Sequence, residues 1–245
     1  MIGPALSSNV ARTTSHKVVI PFYVYAAVSF LVATVLLLTS CGAFTGHYFQ
    51  PHILAITHVM ALGWATMIIL GASHQLVPVL IENDLYSTKL GHLSFGLAAV
   101  GIPLLVYGFY TFDLGLVAQL GGSLVTAAVL VYCVNIALSI SDSKRKNVHA
   151  VFVFTATLWL LLTVSLGLAM LFNFTAFVLP QDSLYFLSLH AHLGLVGWFL
   201  LLVMGVGSRL IPMFLISKYS APRLLWVVFA LVNTGLVLYG LLFLF

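Results

Sequence analysis

Seven unbroken apolar stretches, each about as long as the 20 or so residues a helix needs to cross a bilayer's hydrocarbon, leave this chain few ways to fold. Of its 245 residues only 6% are charged and 62% are hydrophobic, whereas soluble domains carry about 25% charge. In lipid every backbone N–H and C=O must be satisfied within the spanning element, which allows helices or closed barrels. Barrel strands alternate apolar and polar residues; these runs do not. The expectation is an all-α polytopic membrane protein, a single helical bundle over residues 1–245.

The spans are expected at Val18–Ser40, His52–Leu80, Leu90–Tyr110, Leu114–Ile140, Val148–Phe172, Leu184–Phe214 and Leu224–Phe245. Arg12 and Lys17 precede the first, Lys89 the third, Lys144, Arg145 and Lys146 the fifth, and Lys218 and Arg223 the seventh. The other three connections carry no Lys or Arg. Positive residues favour the cytoplasmic side, so the N-terminus is expected inside and Phe245 outside, in a bacterial cytoplasmic (inner) membrane. The net charge of +4 thus reports membrane orientation, and no nucleic-acid partner is expected. Cys41 and Cys133 are too few for a disulfide framework or a thiolate metal site. Leu38-Thr39-Ser40-Cys41 fits a short lipoprotein pattern, but the apolar run before it is longer than a signal h-region, so a retained first helix is expected. Phe245 ends the chain within an apolar run, as a helix finishing at the surface or a longer polypeptide would.

The second and sixth spans share a pattern. His58, Gly63, Trp64, Gly71, Leu76 and Pro78 match His192, Gly197, Trp198, Gly205, Leu210 and Pro212, each pair 134 positions apart (58 to 192). Phe22-Tyr23-Val24-Tyr25 loosely resembles Val151-Phe152-Val153-Phe154, and Val106-Tyr107-Gly108 resembles Leu238-Tyr239-Gly240. The partners lie an even number of helices apart, so the expected repeat is parallel, with halves at about 18–110 and 148–245 and helices one to three resembling five to seven.

His58 and His192 would lie at one depth, roughly 10 Å inside the outer ends of their helices. Intramembrane ionisable residues are rare and point to function. His190 and His192, two positions apart, face roughly 200° apart on a helix and cannot both bind one compact metal. That suits a helix standing between two cofactors. Glu82, Asp84, Asp113, Asp142 and Asp182 all fall in loops or at helix ends, so a hard cation has few ligands. Imidazole alone suits iron, copper or zinc, and a haem needs only axial histidines and an apolar slot. His47 and His52 are expected at the outer mouth, His16, His74, His92 and His149 towards the inner side, and Trp64 and Trp198 near mid-membrane.

At these residues the chain resembles the heme–copper oxidase catalytic-subunit (subunit I) superfamily, and more closely the NnrS-type heme–copper membrane proteins. The resemblance rests on His58 in its His…Gly-Trp setting and on His190-x-His192. It implies a heme b held by His58 and His192, with His190 facing a second heme or copper. It also implies an electron donor such as a quinol or cytochrome c, and electron transfer or handling of a diatomic gas such as nitric oxide or oxygen. The superfamily's closely spaced His and Tyr and its His-His pair are absent, and it has about twelve helices, so oxygen reduction and proton pumping are not implied. Whether the chain is an enzyme stays open. A transporter or receptor without cofactor, and a structural subunit with inert histidines, are the competing readings.

Overall fold

The computed structural model describes residues 14–143, 147–217 and 221–243. Among these, seven helices are long and apolar enough to span a membrane: α1 (His16–Thr39), α2 (Pro51–Ile81), α3 (Thr88–Thr111), α4 (Leu116–Ser141), α5 (Val148–Ala176), α6 (Ser183–Phe214) and α7 (Pro222–Leu241). This is the all-α membrane bundle expected. Arg12, Lys144, Arg145, Lys146, Lys218 and Phe245 lie outside the described residues. Lys17, Lys89 and Arg223 stand at the starts of α1, α3 and α7, on one face, here the N-terminal face.

The helix ends follow local chemistry. Ser15, Ser87 and Asn147 cap α1, α3 and α5, each side-chain oxygen accepting a backbone N–H two or three residues on. Pro51 and Pro222 occupy the first turns of α2 and α7, where a missing N–H costs nothing. Glu82, Phe112 and Phe177 take the left-handed conformation just past α2, α3 and α5; the next N–H, from Asn83 and from Asp113, returns to Pro78 and Gly108.

Small residues set the packing. The α3–α4 pair packs most extensively: a Cβ at Gly101 would lie 2.8 Å from the Leu124 Cβ, the small-residue contact by which membrane helices associate. The connection between α2 and α3 is pinned to α4. Asn135 accepts from the Ser87 N–H and donates to its carbonyl, both at 3.0 Å, and Ser139 accepts from the Tyr86 N–H at 2.9 Å. Phe22, Met67, Tyr132, Phe152 and Trp198 lie in the buried core. On α7 only Leu236 is buried, so most of this helix faces the membrane.

Two features recur between the helix pairs α1–α2 and α5–α6. Val59–Thr66 and Leu193–Leu200 are π-helical, each beginning one residue after a histidine, His58 or His192. Gly63 is packed by Ser29 and Gly71 by Phe22, while Gly197 is packed by Trp159 and Gly205 by Phe152. The packing residues are 130 positions apart in both cases (22 to 152, 29 to 159). Phe152 thus packs on Gly205 as Phe22 packs on Gly71.

Candidate functional site

A cavity of about 410 Å³ lies in the half of the bundle away from the N-terminal face, walled by α2, α3, α4, α5 and α6. Its walls are apolar apart from His58, His190, three threonine hydroxyls and Tyr48 at the rim, with Trp198 at its floor. Helices α2 and α6 meet at that floor, where the Trp198 Nε1–H donates to Thr66 Oγ1 at 3.3 Å. Above it they leave an opening. Thr57 on α2 and Ala191 and Leu195 on α6 line the cavity and are themselves exposed, so the mouth faces the membrane between these two helices.

The imidazoles of His58 and His190 both line this cavity and are stacked, ring centroids 6.4 Å apart and planes within 24° of parallel. A backbone carbonyl can only accept a hydrogen bond, and that fixes both tautomers. His58 Nδ1 lies 2.8 Å from the Leu54 carbonyl and His190 Nδ1 3.0 Å from the Thr163 carbonyl, so each Nδ1 carries the proton. Each Nε2 is left with a lone pair, the state a metal-ligating histidine needs, held by the kind of outer contact that orients such ligands. Phe109 packs on the His58 ring at 4.5 Å. A Cβ at Gly167 would come within 2.8 Å of His190 Cε1, so the ring occupies the space that glycine leaves.

His192 is elsewhere. Its side chain is exposed on α6, its Nδ1–H donates to the Ser188 carbonyl at 2.7 Å, and its ring meets Tyr239 of α7 at 4.6 Å. The two histidines of the His-x-His segment do face different sides of the helix. The member opposite His58 is His190, however, and the pairing with His192 drawn from the repeat is not the one this packing makes. Depth alone could not separate them, because two residues are only about 3 Å along a helix.

The other candidates fall outside the cavity. His74 is fully buried between Phe22 and Tyr132, donating from Nδ1 to the Leu70 carbonyl at 2.6 Å. His149 Nδ1 lies 2.9 Å from Ser208 Oγ. His47 stacks on Tyr48 and His52 meets Tyr110 edge-on; only Tyr48 of these four lines the cavity. Trp198 lines it too, whereas Trp64 packs on Phe30 of α1. Thr163 and Gly167 went unnoticed in the sequence, since a carbonyl acceptor and a glycine on an apolar helix leave no local signature.

Among the described residues no three His, Cys, Asp or Glu side chains converge. A bare zinc or copper ion, which asks for three or four protein ligands, is not provided for. A cofactor that brings its own equatorial ligands needs only two. With a metal about 2 Å from each nitrogen, two imidazoles turned tip to tip would have centroids roughly 6 Å apart, a spacing that the 6.4 Å between these stacked rings allows once each turns its Nε2 inward. The chain matches no protein-family model, no curated protein and no solved structure.

Proposed function

We propose that the cavity between α2 and α6 is the site of a single b-type haem with His58 and His190 as its axial ligands, and that the chain is a membrane electron-transfer protein. The observation that carries this reading is the pair of facing imidazoles, both tautomers fixed, over an apolar space. Its volume falls within the roughly 300–1,000 Å³ of ordinary small-molecule sites. A bound haem supplies one-electron chemistry. The protein's part is to hold two neutral Nε2 donors in place and, through leucine, valine and phenylalanine side chains, to keep water from the metal. No aspartate, glutamate, lysine or arginine lines the cavity, which gives little support to a carrier for ions.

If His58 and His190 together held a haem iron, no position on it would be left for nitric oxide or oxygen, which favours electron transfer over gas binding. It also removes His190 as ligand to a second haem or a copper. The resemblance to heme–copper oxidase and NnrS-type proteins then concerns the choice of ligands more than the chemistry performed. We infer a parallel repeat as well, supported by the matching π-helical segments and the glycine contacts described above. The positive residues support an inside N-terminus, in a bacterial inner membrane.

The test is an optical spectrum of the protein purified in mild detergent. A Soret band that sharpens and gains narrow visible bands on reduction is expected. A colourless preparation from cells supplied with haem precursors would overturn the reading.

A further inference from the structure

We propose that Arg209, with His149 beside it, seats the headgroup of an anionic phospholipid where α5 and α6 reach the N-terminal face. Arg209 is the one Lys or Arg within α6, and α5, α6 and α7 contain no aspartate or glutamate. Its side chain is exposed, and among the described residues it makes no hydrogen bond or ion pair. A guanidinium stays charged at any ambient pH. The exposed residues around it on α6, Val203, Ile211, Met213 and Phe214, are all apolar. The protein therefore supplies a fixed positive charge on a lipid-facing surface and no anion to meet it.

Depth selects the occupant. Arg209 lies 26 residues from the start of α6 (183 to 209), about 39 Å along the axis. The 32-residue helix, at about 48 Å, exceeds the roughly 30 Å hydrocarbon core. With the excess shared between its two ends, the core ends close to Arg209, at the level of the lipid phosphates. The guanidinium fork matches a phosphate, which it can hold by two hydrogen bonds. His149 adds a second requirement. The Ser208 hydroxyl donates to the Gly205 carbonyl at 3.0 Å, so its oxygen accepts from His149 Nδ1–H at 2.9 Å. Nε2 of that half-buried ring is left as an acceptor, and the ring lies near enough to Arg209 to feel its charge. A headgroup that brings both a phosphate and a free hydroxyl answers both groups, as the glycerol of phosphatidylglycerol does. Phe152 on Gly205 and His149 on Ser208 join α5 to α6 here. The same two helices place His190 against Thr163 and Gly167 further along, so a lipid seated at this end braces the pair, whatever fills the cavity.

The probe is phosphatidylglycerol, titrated into the purified protein in mild detergent and read by native mass spectrometry against phosphatidylcholine, which carries no net charge and no free hydroxyl. The wild type should prefer phosphatidylglycerol and unfold at a higher temperature in its presence. Arg209→Gln should weaken that binding about tenfold or more, the loss of a charge-assisted contact, and should remove the thermal gain. Arg209→Lys should keep only part of both, since an ammonium lacks the fork. Arg223→Gln, at the start of α7, should change neither. Phosphatidylmethanol, an anionic phosphodiester without hydroxyls, should bind the wild type more weakly than phosphatidylglycerol does and bind His149→Phe equally well. Equal binding of phosphatidylglycerol and phosphatidylcholine by the wild type overturns the proposal, because Arg209 would then reach past the lipid to water. Equal losses from Arg209→Gln and Arg223→Gln overturn it too, as the general attraction of a positive face. Displacement of the lipid by glycerol 3-phosphate would make this a site for a soluble anion and overturn the lipid reading. Equal binding of phosphatidylglycerol and phosphatidylmethanol by the wild type overturns the part given to His149.

Discussion

The rings of His58 and His190 lie 6.4 Å apart, nearly parallel, with each Nδ1–H tied to a carbonyl of the spanning helices. The Leu54 carbonyl belongs to the helix of His58 itself, but the Thr163 carbonyl belongs to α5. The orientation of His190 is therefore set by the contact between α5 and α6, and the cavity depends on that helix pair.

The first prediction concerns the ligands. His58→Ala and His190→Ala should each abolish the low-spin absorption bands, while His192→Ala and His74→Ala leave them. Haem extracted per protein and reduced-minus-oxidised spectra give the measurement. Bands that survive in His190→Ala but vanish in His192→Ala would mean that α6 is rotated in the loaded protein and that His192 is the partner of His58.

A second prediction concerns Gly167. A methyl group there would meet His190 Cε1 at 2.8 Å, closer than carbon atoms normally approach, so the ring must tilt or α5 and α6 must part. Residues that orient a metal-ligating histidine typically matter by about 10- to 100-fold in affinity. Gly167→Ala should lower haem affinity within that range and Gly167→Leu should abolish binding, both read by haem titration of the apoprotein. Wild-type affinity in Gly167→Leu would show that His190 is not held by this contact.

A third prediction concerns stability. Tyr132 donates to Ser73 at 2.6 Å across the α2–α4 interface, with both residues buried. Tyr132→Phe removes the donor, at a cost of about 1–3 kcal/mol for a buried hydrogen bond. Ser73 keeps its own bond to the Leu70 carbonyl, which points to the lower part of that range. Gly121→Val, which forces a branched side chain between α3 and α4, should cost about 1–3 kcal/mol or more from overpacking. Thermal unfolding in detergent should rank the valine variant as the less stable. The reverse order would mean that the α3–α4 contact is less tight than described.

The seven helices were legible because in lipid the backbone leaves no alternative, and apolar length alone then marks each span. The opposed directions of His190 and His192 were legible from helical periodicity. Which of the two meets His58 was not. The shared sequence pattern aligns His192 with His58, and that match concerns chain position; it does not say which residues face each other. The facing pair is chosen by the rotation of α6 about its axis. That rotation depends on Gly167 yielding space on one side and on Tyr239 receiving His192 on the other, two contacts with helices outside the matched motif. The walls contributed by Gly122, Val125 and Leu160 were hidden for the same reason: on an apolar helix a residue lining a cavity reads the same as one facing lipid.

The last prediction concerns orientation, and the two native cysteines make it testable without a tag. Cys41 is exposed, just beyond the end of α1 and on the face opposite the N-terminal one; Cys133 is buried within α4. If the N-terminus is inside, as the positive residues at the starts of α1, α3, α5 and α7 imply, Cys41 opens to the outside. A membrane-impermeant maleimide added to intact cells should then label the wild-type protein, and Cys41→Ser should lose the label. Cys133 should stay unreactive until the protein is denatured, which provides an internal control on folding. A cysteine introduced at Gln181, in the connection between α5 and α6 and on the same face as Cys41, should be labelled in the Cys41→Ser background. A cysteine at Lys144 should be protected until the cells are opened. Labelling at Lys144 with protection at Gln181 would invert the topology, and would place the His58–His190 cavity in the cytoplasmic half of the membrane.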